Sequence, residues 1–207
     1  MALSPAELKE RHERLLARSA QYLSLGFDRQ AAVRAVLDAC APLSSPVLDI
    51  GTGPGNLALE LARGGLSVVS VDPKGEDQEV AAYRASLEGL EERLWLVEAD
   101  AAALPFDDGH FPLIVSMDVL HHLESEGPVL SEAVRLLAPR GRLVLADFSP
   151  EGFDLVARVH REEGGDHPVG PVTQEAARAH LERLGLVPRP EVTAHFHRIA
   201  VYAKPAG

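Results

Sequence analysis

Cysteine is nearly absent from this 207-residue chain: Cys40 stands alone. A disulfide framework and a cysteine-rich metal site are both excluded. No stretch is long and apolar enough for a membrane span, and none has the layout of a secretory leader, so a soluble, cytoplasmic protein without a membrane partner is expected. Repeats, low-complexity tracts and a Pro/Gly/Ser-rich linker are also missing. The length suits one domain with a full core over residues 1–207. Positive charge is scarce as well. With 20 Lys+Arg against 31 Asp+Glu, the formal net charge of −11 repels phosphate backbones, and nucleic acid is not expected as partner or substrate. No strong metal signature such as H-E-x-x-H is present. His160 and His167, near Glu162, Glu163 and Asp166, read as an exposed polar segment; His195 and His197 alternate in the last hairpin. No metal is expected. Oligomeric state stays open.

What the chain does have is Pro46–Ala62, PVLDIGTGPGNLALELA. Val47, Leu48 and Ile50, interrupted by Asp49, suit a parallel strand covered on both faces. Gly51, Gly53 and Gly55, with Thr52 and Pro54 between them, end the strand in a turn whose backbone a ligand can approach. A helix-forming segment follows directly, so its unpaired N–H groups point at the turn. A polar, partly anionic ligand is expected there.

The spacing is G-x-G-x-G, since Asn56 stands where a dinucleotide fingerprint places its third glycine. Leu66–Asp72 reads as a second parallel strand ending in a carboxylate, whose two acceptor oxygens can take both hydroxyls of a ribose. Leu94–Ala101 reads as a third strand ending in Asp100-Ala101, followed by Leu104–Phe111. Leu113–Leu123 reads as a fourth strand and a turn of helix carrying His121 and His122, and Arg142–Asp147 as a fifth strand. Between those two strands, Pro-x-Gly closes a helix.

With Asp49 two residues ahead of the first glycine, and these blocks in this order, Pro46–Asp147 resembles the class I S-adenosylmethionine-dependent methyltransferases of small-molecule type. The resemblance implies S-adenosyl-L-methionine as cofactor. It assigns the glycine turn (Asp49, Gly51, Thr52, Gly53 and Gly55) to the cofactor, Asp72 with Pro73 to its ribose, Asp100 and Ala101 to its adenine, and Ser116 and Met117 to its methionine part. It implies an α/β fold: a doubly wound, mostly parallel seven-stranded sheet of order 3-2-1-4-5-7-6 with helices on both faces and the last strand antiparallel. Residues 1–44 would form an N-terminal helical cap, with helices over Pro5–Leu23 and from Asp28 to Cys40. Residues 45–207 would form the core, with a substrate-facing insertion at 148–172. Within that insertion Phe153, Val156 and Val159 share a helical face. Tyr22 and Phe27 read as packing residues.

Two departures from the family pattern stand out. Pro73-Lys74-Gly75 follows Asp72, and Pro112 follows Phe111, where it should alter the start of the strand. The function read from this resemblance is methyl transfer to a small-molecule acceptor. Where the acceptor needs a base, His122 is the first candidate, ahead of His121, Asp118 and His160. A non-catalytic binder of the cofactor would keep every motif. An NAD-dependent oxidoreductase would share Asp72 and the fold but not the glycine spacing or the Asp100-Ala101 block.

Overall fold

The computed structural model describes residues 2–206. Helix α1 (Pro5–Ser24) starts where the sequence supplies a capping box, Ser4 accepting from the Glu7 amide while Glu7 accepts from that of Ser4. Helix α2 (Arg29–Ala39) is capped by Asp28, which accepts from the Ala31 amide at 3.0 Å. The strands β1 (Val47–Ile50), β2 (Val68–Asp72), β3 (Leu94–Glu98), β4 (Phe111–Met117) and β5 (Leu137–Phe148) alternate with α3 (Asn56–Arg63), α4 (Gly75–Glu88) and α5 (Gly127–Leu136). After β5 come α6 (Pro150–Glu162), α7 (Gln174–Arg183), β6 (Val187–Pro188), β7 (Val192–Ala194) and β8 (His197–Ala203).

The sheet runs β3-β2-β1-β4-β5-β8-β6, with β7 also paired to β8. The first five strands are parallel and β8 runs antiparallel to β5. Both β6 and β7 lie on the edge of β8 that β5 leaves open. They are one sixth strand broken in two. Pro188 and Pro190 each remove a ladder donor there, which is why the expected seven strands become eight. Alternate residues feed two apolar layers. Val47, Leu113 and Val144 face α2, α3 and α6, whereas Leu48, Ile114 and Leu143 face α5 and α7. Full burial of each such side chain stabilises the fold by about 1.5–3 kcal/mol.

Two strand boundaries differ from the sequence reading. Pro112 sits at a register shift between Phe111 and Leu113, where its missing N–H interrupts the β4–β5 ladder. Strand β5 begins at Leu137, which pairs with Phe111, five residues ahead of Arg142. Helix α5 therefore ends before the Pro-x-Gly segment, and that segment belongs to the strand. The insertion is also more ordered than a polar loop: α6 is capped by Ser149 and buries Val156 and Val159.

Candidate functional site

The carboxyl ends of β1, β2 and β4 open into a cavity of about 470 Å³, roofed by Leu15, Ser19 and Tyr22 of α1. The glycine turn forms its floor, pinned to β2 by the Gly51 and Thr52 amides, which both donate to the Val71 carbonyl. Gly51 has a φ of +93°, and a Cβ there would meet the Val119 side chain at 2.2 Å. Gly53, at φ +46°, has nothing within 4 Å of where a Cβ would stand, so its backbone faces open space.

Asp72 closes the turn from the β2 side. Its Oδ2 accepts from the Gly53 amide and its Oδ1 from the Lys74 amide, each at 2.9 Å. A carboxylate has about four acceptor positions, so one remains on each oxygen. Pro73, Asp100, Ala101 and Met117 line the same cavity, and Asp100 stays exposed while accepting from the Ala102 amide.

Three expected contact residues stand behind the cavity wall. Ser116 is buried and donates to the Ile50 carbonyl at 2.9 Å, tying β4 to β1. Gly55 lies against Ala81 of α4 and occupies the position that starts α3. Asp49 is buried, and its Oδ2 accepts from the Ser70 hydroxyl at 2.6 Å. Ser70 in turn lies 2.7 Å from the Thr52 hydroxyl, which accepts from Gln78. Thr52 lines the cavity while its hydroxyl is used inside this chain of hydrogen bonds. Among the described residues, Asp49 Oδ1 has no partner. Burial pushes the Asp49 carboxyl up to about 7, against the opposing hydrogen bond from Ser70.

The far end of the cavity is built from charged and imidazole groups. Asp118, at φ +61°, accepts from His197 Nε2 at 2.8 Å and from Arg29 at 3.2 Å. His197 Nδ1 is 2.9 Å from the His195 carbonyl. A carbonyl and a carboxylate only accept, so both ring nitrogens of His197 carry protons. Burial alone would oppose that charge, but Asp118 outweighs it and raises the His197 pKa. Burial likewise works against the Asp118 charge, and His197 with Arg29 reverses it, so its carboxyl is held low. His197, placed in an alternating hairpin by the sequence, is fully buried.

Beside this group lie His121 and His122, in a 3-10 turn at Leu120–His122, with His160 of α6 and His167 beyond it. His122 lines the cavity but is exposed to solvent and has no ring hydrogen bond among the described residues. Partial desolvation on its cavity side and then the neighbouring His121 lower its pKa. His121 is buried, and its Nδ1 lies 2.6 Å from Asp147 Oδ1. Its Nε2 is 3.2 Å from His167 Nε2. Tyr22 and Phe27 pack edge to face at 5.3 Å, and Tyr22 also faces the cavity. Sequence reasoning missed Arg29 and Asp147, and read His167 only as part of an exposed polar segment within the substrate-facing insertion. Asp147 had a signal, since it lies at the carboxyl end of β5 as Asp72 does at that of β2; Arg29 had none, because it reaches the cavity from a separate helix. Among the described residues no group of three or more His, Cys, Asp or Glu has metal-ligating geometry, and no helix is long and apolar enough to cross a membrane.

A doubly wound sheet with a glycine turn and a β2 carboxylate at its carboxyl edge defines a nucleoside-type cofactor fold. Residues 48–145 match the family model described as a methyltransferase domain. The chain is 34% identical over 147 residues to 27-O-demethylrifamycin SV methyltransferase of Amycolatopsis mediterranei, covering 69% of this chain and 54% of that protein. It is 38% identical over 143 residues to demethylmenaquinone methyltransferase of Thermus thermophilus, covering 67% and 64%. This chain thus spans less than two thirds of the length of either relative. Its fold superposes with a TM-score of 0.71 on the glycopeptide N-methyltransferase MtfA, solved with S-adenosyl-L-methionine, at 15% identity and covering 85% of this chain and 94% of that one. Residues 48–145 of this chain are thus a methyltransferase domain on a doubly wound, Rossmann-like sheet.

Proposed function

We propose that this protein transfers a methyl group from S-adenosyl-L-methionine to a small-molecule acceptor. The observation that carries the reading is the pairing of an open-faced Gly53 with Asp72, whose two oxygens each keep a free acceptor position. The methyltransferase relatives support it. Asp72 and Pro73 would hold the ribose, and Asp100 with the Ala101 amide the adenine. Gly51, Gly53 and Met117 would border the methionine part, with Asp49, Thr52, Gly55 and Ser116 keeping the turn in shape from behind. When bound, the cofactor supplies a methyl group already activated by a positive sulfur. The protein's part is alignment and exclusion of water, worth several kcal/mol and about 7–11 in favourable cases. Leu15, Ser19 and Tyr22 cover the cavity, and Phe148 and Val156 give its acceptor end apolar walls. Cytoplasmic localisation belongs to the same proposal, in keeping with a chain whose one cysteine, Cys40, is free and buried.

Calorimetry with S-adenosylmethionine, S-adenosylhomocysteine and NAD tests the cofactor. The first two should bind and NAD should not; selective binding of NAD would overturn the assignment. A screen of small phenols, amines, carboxylates and thiols with methyl-labelled cofactor then tests transfer. Tight cofactor binding without transfer to any class would favour a non-catalytic binder.

A further inference from the structure

We propose that Asp147, His121 and His167 form a proton relay, that His167 takes the proton from the acceptor, and that the acceptor is a neutral hydroxyl of phenolic or enolic type. The proposal rests on the methyl-transfer reading above and names the acceptor class.

Asp147 is buried at the end of β5 and holds His121 at two points. Its Oδ2 accepts from the His121 amide at 3.0 Å and its Oδ1 lies 2.6 Å from His121 Nδ1. Oδ1 also accepts from the Phe148 amide at 2.8 Å. An ionised carboxylate only accepts, so His121 Nδ1 carries its proton and His121 Nε2 presents a lone pair. That lone pair faces His167 Nε2 at 3.2 Å, so one proton lies between the two rings and is supplied by His167. His167 Nδ1 is left as the acceptor. His121 cannot meet a substrate itself because His167 covers its outer nitrogen, which makes it a positioning residue. The neighbouring His122 has no such support.

The groups facing His167 are His121 and His122 from the 3-10 turn, His160 from α6 and Asp118 from the end of β4. Burial, then His121 and His160, push its pKa down to about 4, so His167 is neutral and ready to accept at ordinary pH. The charges at this end select the acceptor. Asp118 is taken by His197 and Arg29, Asp147 by His121 and two backbone amides, and Arg18 of the cavity wall is paired with Glu163. Among the described residues at this end, the Asp118 charge is offset by two positive partners, His197 and Arg29, which leaves no net negative charge to hold an ammonium. An amine arriving as its cation is therefore disfavoured, and a thiolate needs no base. A neutral hydroxyl against Phe148 and Val156 needs both the apolar walls and the base.

In the step itself the acceptor O–H bond breaks and its proton passes to His167 Nδ1. The Nε2 proton of His167 shifts to His121 Nε2, leaving an imidazolium against Asp147. The oxygen lone pair forms the new O–C bond to the methyl group as the C–S bond breaks, and the bonding electrons stay on sulfur. The products are a methyl ether, S-adenosylhomocysteine and one proton. His160, whose ring lies 4.8 Å from that of His167, offers the proton a way out.

The pair is tested first without acceptor, by long-range 1H–15N spectra of the histidine rings of the full chain. His121 should stay protonated at Nδ1, and the His167 titration should move in Asp147→Asn and in His121→Gln; a His167 titration unmoved by both overturns the relay. Labelled-cofactor assays on a panel of phenols, aromatic amines and thiols then fix the acceptor. His167→Gln should slow transfer to an unactivated phenol by about 10²–10⁴, more than His122→Ala does, and lose the acid limb of the kcat/KM pH profile. On a nitrophenol already ionised at assay pH the loss should shrink to less than about tenfold, which a purely structural defect would not produce. Equal loss on both phenols, a loss confined to His122→Ala, or transfer only to amines or thiols overturns the proposal. Calorimetry with S-adenosylhomocysteine on the parent and on His167→Gln separates the cases, because failure of the parent to bind it defeats the methyl-transfer reading itself.

Discussion

Two aspartates of the site have opposite surroundings. Asp72 sits at the cavity edge with both oxygens tethered to backbone amides and still able to accept. Asp49 sits behind the turn with one oxygen bonded to Ser70 and one orphaned. Loss of charge-assisted hydrogen bonds to a ribose is worth about 1.5–3 kcal/mol. Asp72→Ala should therefore weaken S-adenosylhomocysteine binding by roughly 10- to 150-fold, and unchanged affinity in calorimetry would remove Asp72 from the site. For Asp49 the readout is stability of the free protein. Its folded pKa, about 7, lies above the ordinary 3.8, so the folded form binds more protons than the unfolded chain between those values. Its contribution is present below about pH 4 and is lost as pH rises through 7. Asp49→Asn cannot titrate. Its Tm relative to the parent should climb between about pH 4 and pH 7, and a difference that stays flat with pH would show that Asp49 is not the buried acid described above.

At the scale of elements, the unit that matters is β1, the glycine turn and α3. Its glycines have different jobs although the sequence spaces them evenly. Gly51 is bounded by Val119 and has a φ of +93°, so even Gly51→Ala must displace the Val119 side chain in a strained backbone and should lower Tm along with binding. Gly53 faces open cavity, and Gly53→Val places a branched side chain only where the ligand would lie, at the cost of about 1–3 kcal/mol of backbone strain at its positive φ. A folded Gly53→Val protein that has lost S-adenosylhomocysteine binding is the expected result. Normal binding would refute the assignment of this turn to the cofactor.

For the molecule as a whole, the cavity is closed from above by a helix that has little holding it down. Tyr22 is the buried residue of α1, and Leu16 and Leu23 are 54% and 59% exposed. Ion pairs from Arg11 to Glu76 and from Arg18 to Glu163 tie it to α4 and to the end of α6, but solvent-screened pairs of this kind contribute little. Few buried contacts mean a low free energy of local opening. In hydrogen exchange, amides of α1 should exchange well before those of β1 and β4 and should slow when S-adenosylhomocysteine is bound. An α1 indifferent to the ligand would mean that it does not close the cofactor cavity.

The sequence by itself determined the strand–glycine–helix unit, the order of the parallel strands along the chain and the carboxylates that end them. Those features depend on local rules: short apolar runs that suit strands covered on both faces, and the backbone freedom of glycine. It also showed where prolines stood, though not that Pro112 would mark a bulge or that Pro188 and Pro190 would split the sixth strand, because each depends on which neighbour pairs with it. Tertiary structure alone decided which polar groups meet. Asp49, Thr52, Ser70 and Gln78 come from separate segments and join behind the turn, and Ser116 turns to a neighbouring strand, although the family resemblance implied ligand contacts for Asp49, Thr52 and Ser116. The same holds at the far end, where His121 and His122 are adjacent in sequence yet only one has a carboxylate behind it. Asp147 is 26 residues and His167 is 46 residues from His121 along the chain, and a hydrogen bond depends on separation in space, which no local pattern encodes.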